Sequence, residues 1–277
     1  MTKIEYANEV KTILENLTDK EVFVKEVQKN NGITYTGVVV RDNGRNIAPT
    51  FYVENFIDKP IEEMVQFILN FKDTNNTLSL EQEAKEVIEN RDMAIKRLQF
   101  RLVNKEKNKD LNRFTYDLSN GLVAEFGIRI SEGRIPITHE IAEYLNLNSR
   151  DAYKIALKNM SDDVEIIDMI EYMCELHGIP KIFIPDDQPP MYIITNKEKN
   201  YGAYAILTEG MKQKLTELLG EFTIIPSSIH EVLAIPKVDN GFIRMMVNDV
   251  NTNVLASEDY LSDDVFVLTD DGDLLIA

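Results

Sequence analysis

The sequence predicts an α+β fold: an antiparallel meander sheet with packed helices, followed by a helical block and a mixed α/β C-terminal portion. Two observations predict it. In the first half, Asn-Gly pairs separate runs of strand-favouring residues, and amphipathic helices flank these runs. From residue 136 onward, consecutive helical patterns give way to short strand-like segments. We therefore predict two domains, residues 1–132 and 133–277, with their boundary at the Gly- and Pro-containing segment SEGRIP.

The first 60 residues predict a helix and three strands. Residues 3–17 place apolar side chains on one side, as a helix that covers a sheet does. The segments EVFVKEVQ and ITYTGVVVRD flank Asn31-Gly32, a pair that accepts the positive φ angles of a tight hairpin turn. The second pair, Asn43-Gly44, returns the chain into NIAPTFYVE. These segments predict a three-strand meander.

Two helices and a third hairpin are expected next. Pro60 suits the first turn of the helix PIEEMVQFILNF. After the polar break KDTNNT, Ser79 with Gln82 predicts the capped start of another helix. A strand around Leu98 follows, and a hairpin turns at Asn120-Gly121. The second arm of this hairpin, LVAEFGIRI, alternates apolar and other residues, which predicts a sheet with one covered and one solvated face.

The second half predicts helices first and a mixed portion afterwards. The segments THEIAEYLNLN, SRDAYKIALKNM and DVEIIDMIEYMCEL read as helices, and the connector IPDDQPP ends this block. MYIITN, GAYAIL and EFTIIP read as strands, with an amphipathic helix from Met211 to Leu219 before the last of them. GFIRMMVNDVN predicts a helix, and DVFVLT with LLIA predicts a hairpin that turns at Asp271-Gly272.

The charge balance limits the classes of partner. Asp and Glu total 47 against 30 Lys and Arg, a formal net charge of −17. Such a surface repels phosphate backbones, so nucleic-acid binding is disfavoured. The nearest basic patch, KRLQFRLVNKEKNK, is interpreted as a strand with Leu98, Phe100 and Leu102 inward and Arg97, Gln99 and Arg101 on a solvated face.

Apolar runs and cysteine content bear on location. The longest apolar runs are far shorter than the ~18 residues of a membrane span, and the first helix has acidic residues where a secretory signal is apolar. We therefore expect no membrane association and a cytoplasmic location. The single cysteine, Cys174, excludes an intrachain disulfide and is interpreted as a buried apolar side chain.

The segment PSSIHE contains the candidate catalytic residues Ser227, Ser228, His230 and Glu231. A serine nucleophile, a histidine base and a carboxylate that orients the imidazole are the parts of a hydrolase triad. The alternative is a helix cap, because S-x-x-E is the capping-box pattern and Pro236 would stop a short helix. No G-x-S-x-G elbow occurs, and residues this close together point in different directions, so we favour the cap.

Motifs for cofactors and metals do not occur in the sequence. It has no G-x-x-x-x-G-K-[ST], no G-x-G-x-x-G after a strand and no H-E-x-x-H. The histidines His139, His177 and His230 are scattered, and the acidic group that includes Asp271 and Asp273 does not satisfy a calcium loop. We predict no cofactor and no metal centre.

Several segments resemble a known bacterial family of unknown function, DUF5688. They are NNGITYTGVVV, IAPTFYVENF, RLVNKEKNKDLN, ITHEIAEYLNLNSRDAYKIALKNM, MYIITN, GAYAIL, IIPSSIHEVLAIP, MVNDVN and LSDDVF. The resemblance covers nearly the whole chain, and PSSIHE is its most specific piece. The layout of the ITHEIAEYLNLNSRDAYKIALKNM region is also similar to the family DUF1444. The resemblance implies a bacterial source among gut Firmicutes, or a phage source, and it assigns no catalytic residue, cofactor or substrate.

Two functions remain open on this reading. The first is a non-enzymatic cytoplasmic binding protein for a protein partner, with a basic partner favoured by the acidic surface, in phage, mobile-element or defence biology. The second is a serine hydrolase-like enzyme that uses Ser227 or Ser228 with His230. The sequence leaves the oligomeric state open.

Overall fold

The computed structural model describes residues 1–71, 77–180, 182, 185, 188–238 and 240–277. Its helices are α1 (Lys3–Leu17), α2 (Ile61–Asn70), α3 (Thr77–Glu89), α4 (Arg91–Lys96), α5 (His139–Tyr144), α6 (Ser149–Met160), α7 (Met169–His177), α8 (Met211–Leu219) and α9 (Asn240–Asn253). Its strands are β1 (Glu21–Gln28), β2 (Thr34–Arg41), β3 (Thr50–Tyr52), β4 (Leu98–Asn104), β5 (Thr115–Asp117), β6 (Leu122–Ile130), β7 (Gly133–Pro136), β8 (Val164–Asp168), β9 (Tyr192–Asn196), β10 (Phe222–Ile225), β11 (Val232–Pro236), β12 (Phe266–Leu268) and β13 (Leu274–Ile276). Helices packed on antiparallel sheets confirm the predicted α+β class.

The N-terminal unit is the predicted meander with helices against it. The strands pair antiparallel in the order β1-β2-β3. Helix α1 begins with a capping box, in which the Thr2 hydroxyl accepts from the Glu5 N–H at 3.2 Å and the Glu5 carboxylate accepts from the Thr2 N–H at 2.7 Å. One buried cluster contains side chains from α1, α2 and all three strands. This unit therefore has a hydrophobic core of its own.

The turn between β1 and β2 also forms hydrogen bonds with a distant segment of the chain. Asn31 and Gly32 have the predicted left-handed backbone, with φ of 60° and 71°. The Asn30 side chain donates to the carbonyl of Glu258 at 2.7 Å, and the Asn31 side chain donates to the carbonyl of Tyr260 at 2.8 Å. We call these contacts the Asn joint. They attach the N-terminal unit to a segment more than 200 residues further along the chain.

A second sheet has the order β4-β6-β5, and β7 also pairs with β6. Strand β6 lies at its centre, and every residue from 122 to 128 is buried. The predicted solvated face is therefore wrong for this strand. On that face, Glu125 forms ion pairs with Arg101 of β4 and Arg134 of β7, so charged side chains that neutralise each other cover the strand in place of water.

The third sheet is antiparallel in the order β13-β12-β10-β11-β9-β8. The predicted C-terminal hairpin is confirmed by the pairing of β12 with β13. The largest buried cluster contains side chains of β4 and β6 together with side chains of β9, β10 and β12. The division into residues 1–132 and 133–277 stays a prediction, since this cluster draws on both ranges.

Three local predictions are wrong. GAYAIL is a 3-10 segment, Gly202–Leu207, with all six residues buried, and such an apolar run has no period that separates strand from helix. Residues 164–168 are strand β8 and not the start of a helix, because the β-branched Val164, Ile166 and Ile167 suit a strand.

The third error concerns Ser79, which lies inside α3 and not at its start. The helix begins at Thr77, so the spacing of Ser79 and Gln82 is not a cap. Residues 72–76 of the predicted polar break lie outside the described residues, and so do residues 184, 186 and 187 of the predicted connector at 184–190.

Candidate functional site

The segment PSSIHE, residues 226–231, joins β10 to β11, which pair antiparallel from Phe222↔Pro236 to Ile225↔Leu233. The predicted capped helix is therefore wrong. The Ser228 N–H donates to the carbonyl of Glu231 at 3.1 Å, so these residues face each other across a turn. The apolar runs on both sides of the turn pair as buried strands, and this pairing outweighs the local capping pattern.

Both serine hydroxyls bond to the carboxylate of Glu231. Ser227 Oγ and Ser228 Oγ each donate to Glu231 Oε1 at 2.9 Å. Ser228 Oγ also accepts from the His230 N–H at 2.9 Å, and Ser228 is only 3% exposed. The candidate nucleophiles are thus held by Glu231 and not by the imidazole.

The imidazole of His230 bonds elsewhere through both nitrogens. Nδ1 accepts from the backbone N–H of Tyr201 at 3.1 Å, so this nitrogen carries no proton. Nε2 lies 3.1 Å from Asp259 Oδ1 and is left as the donor to that carboxylate. The ring also stacks on Tyr201, with centroids 5.3 Å apart. His230 therefore links Tyr201 to Asp259, and it shares no hydrogen bond with a serine hydroxyl through its ring.

The backbone next to His230 is closely packed. Tyr201 has a left-handed φ of 54°, which a residue with a side chain rarely adopts. A Cβ on Gly202 would lie 2.3 Å from Thr195 Oγ1 and 2.7 Å from the carbonyl oxygen of His230. Thr195 Oγ1 itself donates to that carbonyl at 2.8 Å. Glycine at position 202 is thus a steric requirement of this arrangement.

Tyr201 connects the turn to a buried charge cluster. The guanidinium of Arg101 lies 5.0 Å from the centroid of the Tyr201 ring. Arg101 Nη2 lies 3.2 Å from Glu125 Oε2, and Arg134 Nη1 lies 3.0 Å from Glu125 Oε1. Arg134 Nη2 also donates to the Glu125 carbonyl at 2.9 Å. The contacts form one chain from Asp259 through the stacked rings to these three charges.

Glu125 is ionised in this cluster although it is 1% exposed. Burial raises the pKa of its carboxyl, but the guanidinium groups of Arg101 and Arg134 lower it by more, so the pKa lies below its ordinary value. Burial likewise lowers the pKa of Arg134, and Glu125 opposes that change. Two cations around one carboxylate leave a positive excess.

An open-sided cleft of about 850 Å³ lies beside this cluster. We call it the arginine cleft. Its cationic side chains are Lys96, Arg97, Arg101, Arg129 and Arg134. Its acidic side chains are Glu83, Asp163 and Glu198. The prediction that Arg101 lies on a solvated face is wrong, since only 14% of its side chain is exposed and it pairs with Glu125.

The sequence contained one signal for this cluster. Glu125 is a charged residue in the middle of the most apolar strand pattern, LVAEFGIRI. Buried carboxylates are rare unless they are paired, so a carboxylate at this position indicates a basic partner. The identity of the basic partners, Arg101 and Arg134, depends on β4 and β7 being the neighbours of β6 in the sheet. The sequence pattern does not show which strands are neighbours.

A family model described as "Family of unknown function (DUF5688)" matches residues 3–269. Neither a curated protein nor a solved structure matches the chain. Within the described residues, no group of three or more His, Cys, Asp or Glu side chains is placed to hold a metal ion. Every helix in that part of the chain is too short or too polar to cross a membrane.

Proposed function

This chain belongs to the DUF5688 family, whose function is unknown, and on that premise we propose that it is a cytoplasmic, non-enzymatic binding protein for a protein partner with a basic surface. The observation that carries the proposal is an exposed apolar face on α9 in a chain with a net charge of −17. We place this binding role in phage, mobile-element or defence biology.

Helix α9 has apolar side chains on two sides. Ile243 and Val247 are buried and attach the helix to the third sheet. Met245 is 74% exposed and Met246 is 51% exposed, and Val250 is also exposed. Exposed apolar groups that cluster on one element are typical of interaction surfaces, and methionine adapts to differently shaped partners.

One carboxylate and one guanidinium group, those of Asp249 and Arg244, line this apolar face. Asp249 lies on α9 beside Met245 and Met246. The Asn251 side chain donates to Asp263 Oδ1 at 2.8 Å and so holds a second carboxylate near the helix. A partner that matches this pattern presents apolar side chains with Lys or Arg at the rim, as a basic amphipathic helix does.

Immobilised protein is expected to retain a stoichiometric partner from host lysate at low salt and to lose it at high salt. At about 0.5 M salt the Debye length falls to roughly 4 Å, so attraction to the acidic rim is screened. The Met245→Asp variant should retain less than about a tenth of the partner, because it places a charge in the apolar contact. Quantitative mass spectrometry of the bound fraction measures both effects.

The matched control for this experiment is Met173→Asp. Met173 is an exposed methionine on α7, 43% accessible, and it lies outside the α9 face. The control should retain the partner as wild type does. Equal retention by the Met245 and Met173 variants, or binding that salt does not weaken, would count against the proposal.

A serine hydrolase is the second candidate, and the pairing of His230 with Asp259 favours it, since a carboxylate orients the imidazole in such enzymes. In that role, His230 Nδ1 would have to release the Tyr201 N–H before it could accept a proton from Ser227 or Ser228. The bonds that hold the three side chains therefore support the binding role instead.

A fluorophosphonate probe tests the hydrolase directly. We expect no labelling of the wild-type protein, because both hydroxyls are engaged by Glu231. Labelling that disappears in a Ser227→Ala/Ser228→Ala double variant would establish a reactive serine and reject the non-enzymatic proposal. A known serine hydrolase in the same reaction shows that the probe is active.

A further inference from the structure

We propose that the arginine cleft binds a small organic anion through a carboxylate or phosphate group, with Lys96, Arg101 and Arg129 as its cationic ligands. None of these residues belongs to α9, so the site is independent of the partner surface proposed above. The cleft is also distinct from the PSSIHE turn. The two are connected through Tyr201, which donates its backbone N–H to His230 of the turn and contacts Arg101 of the cleft with its ring.

The charge balance of the cleft is opposite to that of the chain. Five cationic side chains line it against three acidic ones, and a positive excess remains when the buried Glu125 is included. The whole chain carries −17. A concave site concentrates the field of its excess charge, so a small anion is attracted to the cleft.

Within the part of the chain that the structure describes, two of the three proposed ligands, Lys96 and Arg101, have hydrogen-bond donors without an acceptor, and the third, Arg129, is ion-paired with Glu198 in the cleft lining. Among the described residues, Arg101 hydrogen-bonds through Nη2 only, and its buried Nε has no acceptor. The Nε of Arg134 is also buried without an acceptor in that part of the chain. Lys96 is exposed and forms no ion pair with any described residue. Guanidinium groups with open donor positions bind planar carboxylates and phosphates in preference to neutral groups.

The walls of the cleft are already ordered. The Asn196 side chain accepts from the Asn200 N–H at 3.0 Å and donates to the Asn200 carbonyl at 2.9 Å, which fixes the turn before Tyr201. Burial raises the pKa of Tyr204 to about 12, so its hydroxyl remains a neutral donor. A preformed wall lowers the entropy lost when a ligand binds.

The volume of the cleft fits a small anionic molecule better than a long polyanion. A volume of about 850 Å³ lies within the range of small-molecule sites, roughly 300 to 1,000 Å³. A long polyanion such as RNA would extend beyond the cleft over a chain with a net charge of −17, and repulsion opposes that. A metabolite with one or two anionic groups fills the cleft without that repulsion.

Isothermal titration of the full chain at low salt tests the site. The probes are citrate for polycarboxylates, AMP for phosphate esters and inorganic phosphate as the minimal anion. We expect one probe to bind with one-to-one stoichiometry. Lys96→Gln/Arg129→Gln should weaken that binding by about tenfold or more, since each lost charged hydrogen bond weakens binding several-fold or more. Both side chains are exposed, so the variant should fold normally.

The control is Arg41→Gln on β2, where the side chain is 35% exposed. Arg41 pairs with Glu21, as Arg129 pairs with Glu198. The affinity of this variant should stay within about twofold of wild type. The proposal is overturned if no probe binds the wild type, or if the cleft and control variants weaken binding equally. It is also overturned if a single-stranded RNA of about 20 nucleotides binds more tightly than every small probe. The relative affinities for citrate and AMP show whether the cleft prefers a carboxylate or a phosphate group.

Discussion

Replacement of Glu125 by Ala is expected to lower the free energy of unfolding by about 3–5 kcal/mol. The substitution leaves the guanidinium groups of Arg101 and Arg134 largely buried without their carboxylate, and breaking one side of a buried ion pair has this cost. Urea denaturation monitored by circular dichroism gives the change. Glu125→Gln retains the side-chain shape and isolates the contribution of the charge.

The matched comparison is Glu21→Ala on β1. Glu21 pairs with Arg41, but its side chain is 46% exposed. Exposed pairs contribute about 0–1 kcal/mol, so this variant should unfold close to wild type. Equal losses in the Glu21 and Glu125 variants would show that burial does not govern the effect and would contradict the role given to the cluster.

The same cluster predicts a pH dependence. The pKa of Glu125 is lower in the folded protein than in the unfolded chain, because the two guanidinium groups offset its burial. Its stabilisation is therefore fully present above the ordinary titration range of glutamate and is lost as pH falls through the lowered value. The difference in stability between wild type and Glu125→Gln should shrink on acidification and stay constant near neutral pH.

Gly202→Ala is expected to lower the free energy of unfolding by about 3 kcal/mol, the upper end of the cost of overpacking. The added Cβ would lie 2.5 Å from the backbone nitrogen of Asn196 and 2.7 Å from the backbone oxygen of His230. Both belong to paired strands or to the PSSIHE turn, so neither can move alone. Thermal and urea unfolding measure the loss.

Gly37→Ala provides the control, since Gly37, which lies in β2, resembles Gly202 in having no positive φ. The Cβ at this position would lie 2.5 Å from Thr50 Cγ2, the end of a side chain that can rotate. We expect a loss of about 1 kcal/mol or less. A loss at Gly37 as large as that at Gly202 would mean that contact with rigid backbone is not the cause.

The elements that the sequence predicted best have a pattern that is complete within one segment. Helix α1 and strand β1 have the predicted bounds, because the apolar spacing, the Thr2–Glu5 cap and the strand-favouring residues all agree. PSSIHE misled the prediction because S-x-x-E is a cap only when a helix follows. The neighbouring strands decided otherwise, and sequence pattern does not show which segments will pair.

The candidate site depends on contacts across long stretches of chain. Arg101, Glu125 and Arg134 meet because β4, β6 and β7 are neighbours in one sheet. His230 meets Asp259 and Tyr201, each 29 residues away in sequence. Apart from Glu125, whose charge interrupts an apolar strand pattern, each of these residues reads as an ordinary surface or turn residue by itself. The sequence therefore identified His230 but assigned it the wrong neighbours.

The Asn joint also sets the order in which the chain can complete its structure. The N-terminal unit has its own core, so it can collapse as soon as it leaves the ribosome. Its contact with Glu258 spans 228 residues and forms only after residue 258 has been synthesised. Asp259, the next residue after Glu258, is then in place to hydrogen-bond with the imidazole of His230. We therefore expect the arginine cleft to mature last during folding, after each sheet has formed its local hairpins.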